Sequence, residues 1–166
     1  MEKLPGDYIA GFVDGEGCFA LKFRRDVRHD RKSKPIYFYW DIEFAILLRE
    51  DDRDLLGKVK DTLKCGKISV NKRGQVRYAI NVIDDLFDKV IPFFEKHKLY
   101  GKKRHDFTLW KEGVEILKRN QQVKKGTFQS IAWKKNDFKR LVSIHSEMKK
   151  YKSKGNEWKW IKELSI

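Results

Sequence analysis

Cysteine and proline are both scarce in this 166-residue chain, with two of the former and three of the latter. Cys18 and Cys65 form no Cys-x-x-Cys pair and stand far from the four histidines, His29, His97, His105 and His145. The spacing of a zinc site is therefore missing. Two lone thiols also exclude a disulfide-rich secreted scaffold and point to an intracellular, reducing compartment (cytoplasm, nucleoid or an organelle matrix). No apolar run approaches the roughly 20 residues needed to span a bilayer, and the first residues lack the hydrophobic core of a signal peptide. No membrane partner is expected. Acids are few relative to bases, 24 against 38, which gives a net charge of +14. Such an excess favours a polyanion as partner. A merely soluble basic protein, or one that coats ribosomal RNA, has the same balance, so charge alone does not choose among them.

The charge is uneven. Lys22–Lys34 holds seven basic residues against two acids, and Lys111 to the end holds fifteen against six. Between these basic regions the residues alternate and then switch period. Phe19, Leu21 and Phe23 share one face of a strand whose other face carries Lys22 and Arg24. Residues 36–48 continue the pattern: Phe38, Trp40, Ile42, Phe44, Ile46 and Leu48 lie on one side, and Tyr37, Tyr39, Asp41 and Glu43 on the other. A helix capped by Asp51 or Asp52 runs to about Leu63, with Leu55, Leu56, Val59 and Leu63 at helical spacing. Lys67–Asn71 and Gln75–Val82 flank Lys72-Arg73-Gly74, a hairpin signal. Ile68, Val70, Val76, Tyr78, Ile80 and Val82 are expected to face inward, and Lys67, Ser69, Asn71, Arg77 and Asn81 outward. Asp84 caps a further helix in which Pro92 marks a kink. Lys102–Lys118, Asn136–Lys150 and Glu157–Leu164 read as helices, with 120–135 a connection. The expected fold is α+β: an αββαββα core at about 7–118, with a four-stranded antiparallel sheet covered by helices on one face, and a basic helical region at 119–166. All 166 residues are expected to form one domain.

The N-terminal stretch Tyr8–Phe19, Y-I-A-G-F-V-D-G-E-G-C-F, is the most informative of the chain. Asp7 is placed to cap a short apolar helix, Tyr8–Asp14, that ends in two carboxylates, Asp14 and Glu16, set among glycines. Two acids at the end of an apolar helix are costly unless paired, solvated or bound to a cation. Gly11 and Gly15 stand four apart, a spacing that lets two helix backbones approach closely. An ordinary core helix with a glycine C-cap would also explain that spacing.

Ile9-Ala10-Gly11-Phe12-Val13-Asp14-Gly15-Glu16-Gly17 resembles the nine-residue signature of the LAGLIDADG homing endonucleases. Ala10, Gly11, Asp14 and Gly17 match it letter for letter, and Glu16 replaces an aspartate. The signature occurs once, and single-copy members of the family are homodimers. The resemblance implies the αββαββα core over roughly Tyr8–Leu117, dimerisation through the helix bearing Ile9, Ala10, Gly11, Phe12 and Asp14, and metal-dependent cleavage of duplex DNA at a long pseudo-palindromic site. It further implies that each Glu16 ligates Mg²⁺ with help from the Gly15 carbonyl, a site that Mn²⁺ or Ca²⁺ can also occupy. Lys102 matches a basic residue that lines the family's active site, with Lys103 competing for the role. A polar, water-arranging position of some members aligns with Leu48, unless Arg49 substitutes.

A two-stranded ribbon fits the major groove, where every base pair presents a distinct donor and acceptor pattern. The outward set Lys22, Arg24, Arg28, Tyr37, Tyr39, Asp41, Glu43, Lys67, Ser69, Asn71, Arg77 and Asn81 has the chemistry for that groove. Arginine and lysine suit guanine, asparagine suits adenine, and carboxylates accept from cytosine. An acid-bearing face argues against pure phosphate binding. Two other readings stand beside a sequence-specific endonuclease. One is a non-cleaving nucleic-acid-binding protein of the same fold, such as an intron RNA maturase or a transcription regulator. The other is a basic ribosome-associated protein.

Overall fold

A computed structural model of the chain describes residues 3–34, 36–121, 133, 135–150 and 157–164. Helix α1 (Gly6–Glu16) leads into strand β1 (Gly17–Val27), which turns back into β2 (Ile36–Arg49). A 3-10 turn (Glu50–Asp52) and α2 (Arg53–Leu63) follow, then the hairpin β3 (Lys67–Val70) and β4 (Gln75–Ile80). The sheet order is β1-β2-β4-β3 and all neighbours are antiparallel. Beyond it lie α3 (Ile83–Asp85), a π-helical turn (Leu86–Val90), α4 (Ile91–Lys96), α5 (Lys103–Arg119), α6 (Lys135–Met148) and α7 (Glu157–Leu164).

The alternation read from sequence is what builds the sheet. Phe19, Leu21 and Phe23 of β1, Trp40, Ile42, Phe44 and Ile46 of β2, and Val76, Tyr78 and Ile80 of β4 are all buried on one face. On that face Phe19 contacts the rings of Phe44, Phe94, Phe107 and Trp110. Leu141, Ile144 and Met148 of α6 and Ile161 of α7 belong to the same apolar cluster. The C-terminal helices are thus packed onto the core.

Several local expectations need correction. Helix α1 begins at Gly6 with Pro5 in the cap position and no side-chain cap, so Asp7 lies inside its first turn and bonds His97 Nδ1 instead (2.7 Å). Asp52 sits at the N-cap of α2 without a side-chain cap bond, and Val82, not Asp84, precedes α3. Val70 and Val82 are largely exposed. Val70 is the last residue of edge strand β3, and the ladder of β4 ends at Ile80 before the chain enters α3 at Ile83. The irregularity expected at Pro92 is a π turn immediately before it, since proline has no N–H to continue the regular ladder and clashes with the preceding turn. The connection at 120–135 lies mostly outside the described residues.

Chain reversal after α2 uses Lys64 in the left-handed region (φ 54°) and Gly66 at φ 82°. A Cβ at Gly66 would lie 2.7 Å from Tyr78 and Ile80, so that backbone passes against the sheet where only glycine fits.

Trp110 joins the two layers. It is fully buried, and its indole N–H donates to the backbone carbonyl of Glu43 in β2 (3.1 Å). Trp110→Phe keeps most of the apolar volume but removes that donor. The expected loss is about 1–3 kcal/mol, the cost of a buried acceptor left unmade. Urea unfolding checks it, and an unchanged midpoint would mean that the carbonyl finds another donor.

Candidate nucleic-acid interface and active-site tip

Helix α1 ends at Glu16, and Gly17 leads directly into β1, its N–H bonding Val13 O. The tip of α1 therefore sits at one end of the sheet. Glu16 is exposed there, and Asp14 is half-buried. Asp14 Oδ2 accepts the backbone N–H groups of Tyr100 (2.8 Å) and Gly101 (3.1 Å), which fixes the loop before α5 to the tip. A structural role for Asp14 was expected from sequence, though at paired helix ends; within the chain it ties α1 to this loop. Its other oxygen, Oδ1, is buried with no partner among the described residues.

The last turn of α1 has no basic residue of its own. Lys103 supplies one from α5, donating to the carbonyls of Asp14 (3.2 Å) and Gly15 (3.1 Å), where the helix dipole favours a cation. Lys102 occupies the N-cap position of α5 and is exposed. The structure therefore brings Lys103, not Lys102, to the tip. The offset of one residue reflects where α5 starts, since the first helical side chain is the one turned back toward α1. Leu48 is packed against the core, and Arg49 is exposed and paired with Asp51 (2.8 Å).

Of the residues expected on a dimer face, Ile9 and Ala10 do not lie there. They are 0 % and 2 % exposed and belong to the core of their own chain. The open face of α1 is Tyr8, Gly11 and Gly15, with Phe12, half-buried against the core, along its edge. A Cβ added at Gly11 or Gly15 meets nothing within 4 Å, and Tyr8 and Phe12 stack at 6.4 Å along that side.

The oxygen donors at the tip are of the kind a hard divalent ion takes, the Glu16 carboxylate and the Gly15 carbonyl, although Lys103 donates to that carbonyl here. Among the described residues, no cluster of three or more His, Cys, Asp or Glu side chains is placed to hold a metal. Mg²⁺ needs no such cluster, since it keeps several waters and binds through one or two carboxylates and substrate phosphates.

The sheet face opposite the helices carries the outward set, with four of its cations, Lys22, Arg24, Arg28 and Arg77, paired to acids. Lys22 Nζ donates to Glu43 Oε1 (2.9 Å), and Arg77 Nη2 contacts Glu43 Oε2 (2.7 Å). Arg24 Nε donates to Asp41 (3.2 Å), and Arg28 pairs with Asp26 (3.3 Å). Tyr37 Oη accepts from Arg31 (3.3 Å), and Tyr39 is half-buried beside it in β2. Lys67, Ser69 and Asn81 are exposed. Asn71 is also exposed, but its Oδ1 accepts the N–H groups of Arg73 (2.9 Å) and Gln75 (3.1 Å), so its carbonyl shapes the hairpin turn. Sequence reasoning missed both the lysine bridge at the tip and the Glu43 cluster. The cluster depends on the register of three strands, which no local pattern carries.

Residues 9–114 match the profile of the LAGLIDADG endonuclease family. The chain belongs to that family. A probable intron-encoded DNA endonuclease 1 of Mycosarcoma maydis is 33% identical over 106 residues, 64% of this chain and 35% of the relative. The chain thus spans about a third of that relative's length. Among solved structures, a homing endonuclease, I-TnaI, superposes with a TM-score of 0.73 at 26% identity, covering 99% of this chain and 97% of that one. The LAGLIDADG meganuclease I-AabMI, bound to uncleaved DNA, superposes with a TM-score of 0.67 at 30% identity over 91% of this chain and 47% of that one. A LAGLIDADG chain of this size thus matches I-TnaI end to end and less than half of I-AabMI.

Burial pushes the Glu43 carboxyl up, but hydrogen bonds from Arg77 and Lys22, together with their charges, outweigh it and hold the group below the usual glutamate range. A depressed folded value means that the cluster's contribution is complete above the unfolded glutamate pKa and is lost as pH falls through the folded one. Wild-type stability should therefore decline below about pH 4 more steeply than that of Glu43→Gln. Thermal melts between neutral and acidic pH measure the difference, and parallel curves would show that the cluster contributes nothing.

Proposed function

We propose that the chain is a sequence-specific, metal-dependent DNA endonuclease that acts as a homodimer on a long pseudo-palindromic duplex site. The observation that carries this reading is the α1 tip: an exposed Glu16 and the Gly15 carbonyl at the end of a helix whose glycine face is uncovered. Two copies meeting through Tyr8, Gly11, Phe12 and Gly15 would bring both Glu16 carboxylates to a common axis, one per scissile phosphate. The second tip, phosphate oxygens and water would supply the remaining oxygens. Glu16 and Gly15 would hold Mg²⁺, with Mn²⁺ or Ca²⁺ as substitutes, the Lys103 ammonium giving up the Gly15 carbonyl to the ion and turning to phosphate. The ion would supply charge neutralisation and activation of water. Lys103, poised at the tip, would stabilise charge on the phosphate. The face carrying Lys22, Arg24, Tyr37, Tyr39, Asp41 and Arg77 would read base edges in the major groove, with Lys67, Ser69 and Asn81 at its margin. Free thiols at Cys18 and Cys65 suit a reducing intracellular compartment.

The same fold without cleavage is the alternative, as an RNA maturase or a regulator. Glu16 favours cleavage, because a binder gains nothing from a carboxylate aimed at phosphate.

Incubation with a randomised duplex library and Mg²⁺, followed by sequencing of cut ends, should give one extended pseudo-palindromic motif. Glu16→Gln should retain duplex binding and lose at least about a hundredfold in cleavage rate, the scale for removing a group that acts on the transition state. Mg²⁺-dependent nicking at the wild-type rate would remove Glu16 from the reaction.

Gly11→Leu should convert the dimer to a folded monomer in sedimentation, with the circular dichroism spectrum kept, since the added side chain meets open space within its own chain; the melting temperature should fall only by what dimer association contributes. A dimer of unchanged mass would refute packing through this face.

A further inference from the structure

Glu43 is misplaced for a residue that reads DNA directly. It lies on the open face of the sheet yet is only 9 % exposed, and both its carboxylate oxygens are taken, one by Lys22 of β1 and the other by Arg77 of β4. Register shows how far those cations reach. Lys22 is opposite Asp41 and Arg77 is opposite Leu47, so each side chain runs along the sheet to meet Glu43 between them. Small residues line the way: Ala20 is opposite Glu43, and Ala45 is opposite Ala79. Ala45 is 7 % exposed despite facing the open side. Beneath, the Glu43 carbonyl is held by Trp110. The backbone at Glu43 is therefore held from the core and its carboxylate by the two cations, which remain about a third exposed, at 33% and 38%.

We propose that Glu43 is a positioning residue, a buried anion that holds Lys22 and Arg77 at set places on the sheet so that they meet particular base edges rather than any nearby phosphate. This rests on the duplex-reading function above and departs from Glu43 as an acceptor for cytosine. A cation tethered at one end by an internal carboxylate loses rotamer freedom before DNA arrives, and its remaining N–H donors point in fixed directions. Released from the carboxylate, the same long side chains would swing to phosphates, adding affinity without sequence information. Glu43 would also repel phosphate from the middle of the face, which penalises off-register docking.

The test uses the full chain as wild type, Glu43→Gln and Glu43→Asp. Binding to a random-sequence duplex is followed by anisotropy across salt concentration, and base preference by selection from a duplex library. Lys22 exposure is read without DNA, by limited acylation with an amine-reactive ester and mass spectrometry. In Glu43→Gln, Lys22 should acylate several-fold faster while Lys67 is unchanged. The log–log salt slope should steepen by about 1–2, one or two added phosphate contacts. Discrimination at the positions beneath Lys22 and Arg77 should fall about tenfold or more, with other positions kept. Glu43→Asp retains the charge with a shorter reach and should lose preference beneath one cation only, so the proposal stays testable if the glutamine variant fails to fold. An unchanged rate of Lys22 acylation overturns the positioning role irrespective of DNA. In Glu43→Gln, loss of preference at a single position with an unchanged salt slope overturns it in favour of direct base contact. A wild-type chain with no base preference overturns the duplex-reading function, and this proposal with it, even where Lys22 acylation responds as expected.

Discussion

The arrangement hangs on one carboxylate. Asp14, near the end of α1, accepts two backbone N–H groups from Tyr100 and Gly101, residues more than eighty positions further along the chain. That contact sets where the loop before α5 begins, and the loop sets where Lys103 points. An ammonium from α5 then meets the carbonyls at the end of α1. Helix, loop and lysine form a closed local circuit, so the exposed Glu16 stands on a fixed base. A surface ion pair would not hold such a tip, because its net worth is small and depends on salt. Backbone donors bonded to a half-buried carboxylate are less easily exchanged for water.

The second level of organisation is the sheet, in which the residues of β1, β2 and β4 alternate between an apolar face under the helices and a face crowded with charge. The positive charge there is largely matched. Lys22, Arg24, Arg28 and Arg77 each contact an acid, so the face is a patterned surface rather than a uniformly positive one. Pattern is what discrimination between base pairs requires, whereas a uniform field supplies affinity for any polyanion.

Much of this was legible in the residues. Period-two alternation located β1 and β2, and the hairpin signal located β3 and β4, with Gly74 at φ 67° in its turn. The signature at Ile9–Gly17 located the tip. Less legible were features that need the direction of a side chain rather than its element. Ile9 and Ala10 belong to the signature, but the rotation of α1 turns them into their own core. Lys102 and Lys103 are adjacent in sequence, and only the start of α5 distinguishes them, at the limit of what end signals resolve. Asn71 has base-reading chemistry but uses its carbonyl to hold a turn. The joining of Glu43 to cations from two strands requires a register that sequence does not state.

Alternation also separates two kinds of change available to this molecule. Substitutions at Arg24, Tyr37 or Asp41 alter one surface while Phe23, Phe38 and Trp40 keep the helices seated, so that surface can change without endangering the fold. Position 43 is the exception: its side chain organises the outer surface while its carbonyl is fastened to Trp110 below. If the face reads a duplex as proposed, a change of preferred sequence would therefore find the rim of the sheet easy to rewrite and its centre resistant, and a protein engineer would meet the same gradient.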